Sequence, residues 1–243
     1  MLNEFGQAVG ASLVDWSEPS LPPRAVLSGT YCQVEPLNPA KHARALSEIC
    51  VSDTQARDWT YMAFGPFSTA SEVHEWVEDY SQRAHSPYYA IVDSKSRLPT
   101  GVVCYLRMDP SHGSIEIGGI VYSDQLKRTA AATEAIFLLA QNVFDLGYRR
   151  CEWKCDSLNE ASRRAALRLG FSFEGIFRQA VIYKGRNRDT AWYSIIDRDW
   201  PDLRRAYLRW FAPDNFDSAG RQKTRLSDLT QPLLRRVVEE ASE

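Results

Sequence analysis

The sequence predicts an α/β (α+β) fold, and three observations lead to this class. Segments that alternate apolar and polar residues, typical of strands, are interspersed with segments whose apolar residues recur every three or four positions, typical of helices. Three strand segments between residues 88 and 122 are separated only by polar turns, which indicates an antiparallel meander. From residue 114 onward the order becomes strand, helix, strand, helix, strand, so both kinds of element belong to one domain.

The first half of the chain predicts an extension, then strands and two helices. Residues 1–26 end in Leu21-Pro22-Pro23, which cannot continue a helix, so we assign them to an N-terminal extension across the surface. Asn38-Pro39 opens one helix, because proline suits a first helical turn, and Ser68 or Thr69 caps another. Strands are predicted at residues 29–35, 88–92, 101–107 and 114–122.

The second half predicts two further helices and a final strand pair. The apolar spacing indicates helices over residues 129–146 and 160–169, ended by Gly147 and Gly170. Strands are predicted at residues 150–156, from Phe171, at 177–183 and at 190–196, the last two joined by a polar turn over 184–189. We place the domain at residues 27–200 and a partly helical tail at 201–243, with apolar residues through Val237. Two roles are open for the aromatic residues Trp210 and Phe211 of this tail, a homodimer surface or a lid over a cleft of the domain.

The composition is that of an ordinary globular protein. The 243 residues are 44% hydrophobic and 25% charged, which excludes disordered and collagen-like classes. The formal net charge of −2, from 29 basic and 31 acidic residues, gives no general attraction for nucleic acid or for an anionic membrane. No stretch approaches the roughly 20 apolar residues of a membrane helix, and the N-terminus lacks a signal-peptide pattern. We therefore expect a cytoplasmic protein without nucleic-acid or membrane partners.

The cysteines predict buried thiols. Their number is odd and their neighbours are apolar, unlike a disulfide framework. They are Cys32, Cys50, Cys104, Cys151 and Cys155. The spacing of Cys151 and Cys155 suggests a metal pair, but the strand pattern around them and the lack of nearby His or further Cys argue against zinc, so we expect no metal.

A candidate anion site lies between the strand that ends near Tyr122 and the following helix. The first backbone N–H groups of a helix have no helical partner, and together with the helix dipole they attract anions. Lys127 and Arg128 add positive charge there, and the small side chains of Ala130–Ala132 allow a close approach to the backbone. Plain helix propensity is the alternative explanation for an alanine-rich start.

An ordered series of short motifs resembles the GNAT superfamily of N-acetyltransferases, specifically the ribosomal-protein N-terminal acetyltransferase branch. The motifs are Glu116-Ile117-Gly118, Ala132-Thr133-Glu134-Ala135, Leu146-Gly147-Tyr148-Arg149-Arg150, Asn159-Glu160-Ala161-Ser162-Arg163-Arg164 and Leu169-Gly170-Phe171-Ser172-Phe173-Glu174-Gly175. The resemblance covers roughly residues 30–200. It implies a mixed, mostly antiparallel central sheet with helices on both faces, splayed between the strands of Glu116 and Cys151, and acetyl-CoA in the cleft.

The resemblance also implies residues that bind acetyl-CoA. The pantetheine arm would pair with the backbone of Ile120, Val121 and Tyr122, and Asn159 would contact the cofactor. The pyrophosphate would lie on the loop Lys127, Arg128, Thr129, Ala130, Ala131, Ala132 and Thr133. Here Lys127 stands where the family has Gln or Arg, and Ala130 stands at the first motif glycine, which puts the affinity for CoA in question. Asn159 as a plain helix cap is the alternative.

Two residues are the candidate catalytic groups. Glu116 is the candidate base, because acetyl transfer needs a neutral amine; a solvent-facing strand carboxylate is the alternative. Ser162 would lie near the cofactor sulfur, where its hydroxyl would act as general acid. A backbone N–H at Gly118-Gly119 is a candidate donor to the thioester carbonyl. Val181 occupies a second carboxylate position of the branch, so Asp189, Glu174 and Tyr183 stay open as bases, with Asp189 as readily a turn residue paired with Arg186 or Arg188.

Aromatic residues are candidates for the acceptor pocket. Trp59, Tyr61 and Trp192 are expected to bind the acceptor, with Phe64, Trp76 and Tyr193 beside them; burial in the core is the alternative for all of them. The predicted reaction is acetyl transfer to a primary amine by direct attack in a ternary complex. The acceptor is a protein or peptide α-amine or a small amine, and an acyl-CoA-binding regulatory module without activity is the rival function.

Overall fold

The computed structural model describes residues 1–51 and 57–235 and places a single sheet between two layers of helices. The strands are β1 Leu27–Ser28, β2 Cys32–Pro36, β3 Tyr88–Asp93, β4 Pro99–Asp109, β5 Ser114–Tyr122, β6 Arg150–Asp156, β7 Ser172–Tyr183 and β8 Arg186–Ile196. The helices are α1 Pro39–Cys50, α2 Ala70–Ser81, α3 Ala130–Asp145, α4 Glu160–Arg168, α5 Trp200–Phe211 and α6 Leu226–Thr230.

The eight strands follow the order β1-β2-β3-β4-β5-β6-β8-β7. Every neighbouring pair is antiparallel except β5 and β6, which are parallel and are connected through α3. The predicted mixed, mostly antiparallel sheet is therefore confirmed. The parallel pair lies in the middle of the sheet, where β5 also pairs with β4 and β6 also pairs with β8. A gap between β5 and β6 is therefore bordered on each side by a strand that is hydrogen-bonded to a further strand.

The two faces of the sheet carry separate hydrophobic clusters. Alternate residues of β4 divide between them, since Val103 and Tyr105 pack with α3, α4 and α5, whereas Val102 and Cys104 pack with α1 and α2. The face with α1 and α2 is covered at β3 and β4, because the buried strand residues of that cluster come from these two strands and the end of β5. The same face of β6 and β8 carries charged and polar side chains instead, and the candidate site lies there.

Local capping explains where the helices begin. The side chains of Asn38, Thr69, Thr129 and Asn159 each accept a backbone N–H from the first turn of the helix that follows. The predicted starts of α1 to α4 agree with these caps. One prediction about strands is wrong: β7 runs without interruption from Ser172, and β8 begins at Arg186, so the turn is only Lys184-Gly185. Both turn residues have positive φ, as a two-residue hairpin requires.

The C-terminal segment is part of the main core as far as it is described. Trp210 of α5 is 3% exposed and belongs to the same cluster as α3, and its N–H donates to Gln222. Phe211 packs against Phe137 and Tyr31. The expectation that Trp210 forms a dimer surface or a lid is thereby corrected, because its ring is covered within its own chain. The part of the predicted tail that includes Val237 lies outside the described residues.

The N-terminal extension runs over the surface and is held at two points. Arg24 donates to the carbonyl oxygens of Ser81 and Arg83 and so satisfies the end of α2. Trp16 lies against Gly113 and Arg149. Over the described range, no helix has the length and apolar character needed to cross a membrane.

Candidate active site

The cleft opens where β5 and β6 separate. The two strands pair only at Ser114–Arg150, Ile115–Cys151 and Glu116–Glu152, although both continue well beyond these residues. Because parallel strands that stop pairing leave backbone groups free on both inner edges, the edge of β5 from Ile117 onward faces an opening. The predicted splay between the strands of Glu116 and Cys151 is present, and it begins directly after Glu116.

A bulge shapes the β5 wall of this opening. Val102 pairs with Val121 and Cys104 pairs with Gly118, so Gly119 and Ile120 together oppose Val103 alone. Gly119 has φ +59, and a Cβ there would approach the Cys104 sulfur at 2.6 Å, so only glycine fits. The bulge turns the backbone N–H groups of this stretch away from a regular ladder.

Glu116 is buried at the fork. It is 2% exposed, and its carboxylate receives a bidentate pair from Arg107, with Nε to Oε2 at 2.6 Å and Nη2 to Oε1 at 2.5 Å. Lys154 Nζ lies 3.2 Å from Oε2. The alternative of a solvent-facing strand carboxylate is therefore excluded. A carboxylate offers about four lone pairs, so Oε1, which lies beside Gly118, retains one for a further donor.

A chain of alternating charges continues from Glu116 across β6 to β7. Lys154 Nζ also lies 2.6 Å from Glu152, whose other oxygen accepts from Arg150 Nε at 2.7 Å. Arg150 in turn forms a bidentate pair with Glu174. Together with Arg107 and Glu116, this row of charged side chains contains three cations and three carboxylates. Its net charge is therefore zero, which makes its burial tolerable. The sequence did not indicate Arg107 or Lys154 as partners of Glu116, because Arg107 lies on β4, Glu116 on β5 and Lys154 on β6. Their contacts depend on how these strands are placed in the sheet.

Burial raises the pKa of Glu116, while Arg107 and Lys154 oppose that rise. A carboxylate with a raised pKa binds a proton more readily than an exposed one, and the two cations favour its ionised form. These are the properties required of a group that accepts a proton transiently.

The loop before α3 has the expected helix start. The Thr129 side chain accepts from Ala132 N, and the helix begins at Ala130, whose own N–H has no helical partner by position. Arg128 is exposed and has φ +64, so the chain turns sharply just before the helix. Ala131 and Thr133 point into the core, so only their backbone faces the cleft side of the helix.

Lys127 differs from its expected role. Its ammonium lies 2.5 Å from Asp58 and 2.8 Å from Asp124, so these two carboxylates neutralise its charge. The contact with Asp58 attaches the segment before Trp59 to the loop before α3. Arg128 is therefore the cation of this loop that stays without an ion pair within the described residues.

On the opposite wall, Asn159 and Ser162 are held at the start of α4. Asn159 Oδ1 accepts from Ser162 N, so Asn159 caps the helix, as its alternative explanation supposed. Ser162 Oγ accepts from Trp153 Nε1 at 3.0 Å, which fixes the hydroxyl and leaves its own proton to donate. Trp153 lies on β6 beyond the fork, so Ser162 and Glu116 lie on strands or helices that border the same opening.

The three acceptor candidates have different environments. Trp59 is 1% exposed and packs edge-on against Phe64 and Phe67, so its ring lies in the core and the expectation that it binds the acceptor is corrected. Tyr61 donates its hydroxyl to the carbonyl of Leu158, beside the start of α4. Trp192 lies under the Lys154 ammonium, 3.7 Å from its ring centroid, and is therefore next to the partners of Glu116.

The other candidate bases are engaged in separate contacts. Glu174 is bound by Arg150, which lowers its pKa, and Asp189 accepts from the backbone N–H of Gln179, which lowers the pKa of Asp189 as well. Asp189 is therefore not paired with Arg186 or Arg188. Tyr183 donates to Asp156 at 2.8 Å, a contact between β7 and the end of β6 that the sequence alone did not indicate.

The thiols and the charged side chains offer no metal centre in the described part of the chain. All five cysteines are buried. Within residues 1–51 and 57–235, no three His, Cys, Asp or Glu side chains are grouped so as to hold a metal ion.

Comparison with known proteins agrees with this architecture. The sequence model of the Acetyltransferase (GNAT) domain matches residues 33–172. A GCN5-related N-acetyltransferase from Brucella melitensis is 44% identical, with 90% of this chain and 99% of that chain covered and a TM-score of 0.88. A probable acetyltransferase of the GNAT family from Chromobacterium violaceum is 37% identical over 80% of this chain and 98% of that chain, with a TM-score of 0.75.

A more distant similarity concerns the fold alone. The ribosomal L7/L12 α-N-protein acetyltransferase RimL in complex with coenzyme A is 20% identical, covers 71% of this chain and 99% of that chain, and has a TM-score of 0.61. The family match spans more than half of the sequence, and the two closer structures extend the match to most of it. The chain therefore belongs to the GNAT family of acetyltransferases.

Proposed function

We propose that this acetyltransferase moves the acetyl group of acetyl-CoA to a primary amine by direct attack in a ternary complex, with Glu116 accepting the proton. The observation that carries the proposal is the position of Glu116, a buried carboxylate with one free lone pair at the point where β5 and β6 part. Acetyl-CoA supplies the activated acetyl group and a thiolate leaving group. The remaining tasks are to place the amine, to deprotonate it and to protonate the departing sulfur.

The residues that would hold acetyl-CoA fit such a molecule. The first amides of α3 and the exposed guanidinium of Arg128 suit a pyrophosphate, and the methyl side chains of Ala130 and Ala132 do not obstruct it. The unpaired edge of β5, including Ile120 to Tyr122, suits an arm that bonds to backbone groups. The departures at Lys127 and Ala130 leave this helix start intact. The rival function, a module that binds acyl-CoA without activity, predicts binding of acetyl-CoA without acetylation of any amine.

Proton transfer follows from the local electrostatics. An α-amine has a pKa near 8 and is mostly protonated at neutral pH, so it must lose a proton before its lone pair attacks. Because Glu116 is almost fully buried, we propose that its Oε1 receives this proton through one water molecule. The C–N bond then forms as the C–S bond breaks, while a backbone N–H of the Gly119 bulge donates to the carbonyl oxygen. The second proton of the attacking amine passes through the Ser162 hydroxyl to the departing thiolate, so that Ser162 regains the proton it donates.

Ala130→Glu tests the acetyl-CoA site. An acidic residue in the first turn stabilises a helix, so the variant should fold normally, but its negative charge opposes a bound pyrophosphate. We expect the dissociation constant for acetyl-CoA, measured by isothermal titration calorimetry, to rise at least about ten-fold, or about 1.4 kcal/mol. Ala130→Gln is the matched uncharged control and should stay close to the unaltered protein. Equal affinities of the two variants, or no saturable binding to the unaltered protein, would reject the site.

A further inference from the structure

We infer that the β7–β8 hairpin is the docking surface for the acceptor, and that the acceptor is a polypeptide with acidic and apolar residues next to its N-terminal amine. This inference rests on the proposed function, because it names the acceptor of that same site. Three independent features carry it: which side chains share one face of the hairpin, how this face connects to Glu116, and which charges it presents.

One face of the hairpin continues the face of β6 that carries Lys154. Lys154 pairs with Trp192 and Asp156 pairs with Thr190, so these side chains lie on the same side of the sheet. The register of β7 with β8 places further side chains on that side. They are Phe177, opposite Thr190; Val181, opposite Arg188; and Tyr183, opposite Arg186. We call these five residues, Phe177, Val181, Tyr183, Arg186 and Arg188, the hairpin face.

The hairpin face is continuous with the fork. Phe177 stacks on Trp192 with ring centroids 4.4 Å apart. The Lys154 ammonium lies over the Trp192 ring and also contacts the Glu116 carboxylate. At the other end of the face, Tyr183 donates to Asp156 at the end of β6. Lys184 at the turn donates to the carbonyl of Trp59 at 2.8 Å, so the tip of the hairpin reaches the segment that contains Tyr61. An acceptor bound along this face would therefore extend its amine toward Glu116.

The charges around this face are positive on balance, because three cations outnumber the carboxylate of Asp156, which accepts from Tyr183 on the same face. Lys184 in the turn and Arg186 and Arg188 in β8 occupy alternate positions of a five-residue segment. Across the described ranges none of them has a carboxylate within ion-pair distance. Asp189, the acidic residue closest in sequence, bonds to the backbone of Gln179 and to Asn187 instead. The carboxylates at the fork are already matched by Arg107, Lys154 and Arg150. The rim consequently favours an anionic partner.

The same face also exposes apolar surface. Phe177 is 55% exposed and Val181 is 42% exposed, although both belong to a strand pair next to the cleft. Exposed apolar side chains beside unpaired cations suit a chain that alternates acidic and apolar residues. Register shifts at Gly175 and between Phe177 and Val181 interrupt the free edge of β7, so side chains rather than added strand pairing provide the contact.

A polypeptide fits this surface better than other anionic molecules. A nucleic acid has no aliphatic amine to acetylate, and the protein as a whole has net charge −2, which opposes binding to a polyanion or to an anionic membrane. A polyamine would be repelled by Lys184, Arg186 and Arg188. These cations also lower the pKa of a nearby ammonium, which increases the neutral fraction of an α-amine before Glu116 acts.

The test uses C-terminally labelled synthetic peptides with one common N-terminal residue followed by acidic, neutral or basic residues. At low salt we expect kcat/KM for the acidic peptide to exceed that for the basic peptide at least about ten-fold, and the difference to shrink at about 1 M salt, where the Debye length is about 3 Å. Arg186→Glu should remove most of this preference, because it replaces one cation of the hairpin face with an anion. Arg204→Glu, an exposed position on α5, is the control and should keep the preference.

Fluorescence anisotropy of the labelled peptides, measured with CoA present, separates docking from chemistry. If the acidic peptide binds more tightly than the basic one but is not acetylated, the docking surface stands and the proposed function fails. If the three peptides are acetylated equally and Arg186→Glu changes nothing, the docking inference fails and the proposed function stands. Displacement of the acidic peptide by a single-stranded RNA oligonucleotide or by phosphatidylglycerol vesicles would also overturn the assignment to a polypeptide.

Discussion

Glu116→Gln is expected to lower kcat by about 100-fold, within the range that a positioned general base contributes. The substitution keeps the shape of the side chain but removes the charge that accepts a proton from the amine. It should also change the pH dependence of kcat. In the unaltered enzyme kcat rises with pH as Glu116 ionises, and this limb lies above the ordinary range of a glutamate because burial raises the pKa of Glu116. The glutamine variant should lose that limb.

The fold should survive this change, which makes the measurement interpretable. Arg107 reaches solvent, and Lys154 keeps its closer partner Glu152 at 2.6 Å, so neither cation is left buried without a counter-charge. We expect thermal unfolding and the affinity for acetyl-CoA to stay near those of the unaltered protein. These two measurements separate a loss of catalysis from a loss of structure.

Glu174→Gln is the matched control for Glu116. Glu174 belongs to the same chain of charges, but it binds Arg150 and Ser194 at the far side of β6. Its substitution should change kcat by less than about three-fold, since it removes only a partly exposed ion pair. An unaltered pH profile in Glu116→Gln, or an equal loss of kcat in both variants, would show that Glu116 does not accept the proton.

The parts of the fold that depend on local chemistry were predictable from the sequence. The caps Asn38, Thr69 and Thr129 each act on the residue three positions away, so a short stretch of sequence contains both partners. The bounds of β5 and β6 agree with the prediction because polar turns and glycines flank them. The joint between the predicted strands at Phe171 and Phe177 was missed, because β7 stays continuous through register shifts in a segment that breaks the alternating pattern. The start of β8 at Arg186 was missed as well, because the polar residues 186–189 have the composition of a turn.

The candidate site was less predictable, because its contacts join distant segments. Lys127 lies in the expected loop, but Asp58, 69 positions earlier, takes up its charge. Trp59 has the composition of a pocket residue, and only its packing against Phe64 and Phe67 shows that the ring is in the core. For Glu116 the sequence indicated the strand and the face, whereas its burial and the clamp by Arg107 depend on how β4 pairs with β5.

Glu134→Ala is expected to destabilise the protein by about 3 kcal/mol, the cost of leaving several backbone donors without a charged acceptor. Glu134 lies in the first turns of α3 and is buried, and its carboxylate accepts three backbone N–H groups. They belong to Thr30 at 2.8 Å, Tyr31 at 2.6 Å and Cys32 at 2.9 Å. The side chain therefore joins the start of β2 to α3, a contact across about a hundred residues that the motif around Glu134 did not reveal.

Chemical unfolding in urea measures this effect. Glu160→Ala is the control, because Glu160 lies near the start of α4, as Glu134 does in α3, but forms only an exposed pair with Arg164. This substitution should cost less than about 0.5 kcal/mol. Gly29→Ala is an independent check, since a Cβ at Gly29 would lie 2.3 Å from the Glu134 carboxylate and push it off its donors. If Glu134→Ala unfolds at the same urea concentration as Glu160→Ala, the three backbone bonds contribute nothing, and α3 is held to β2 by its apolar contacts alone.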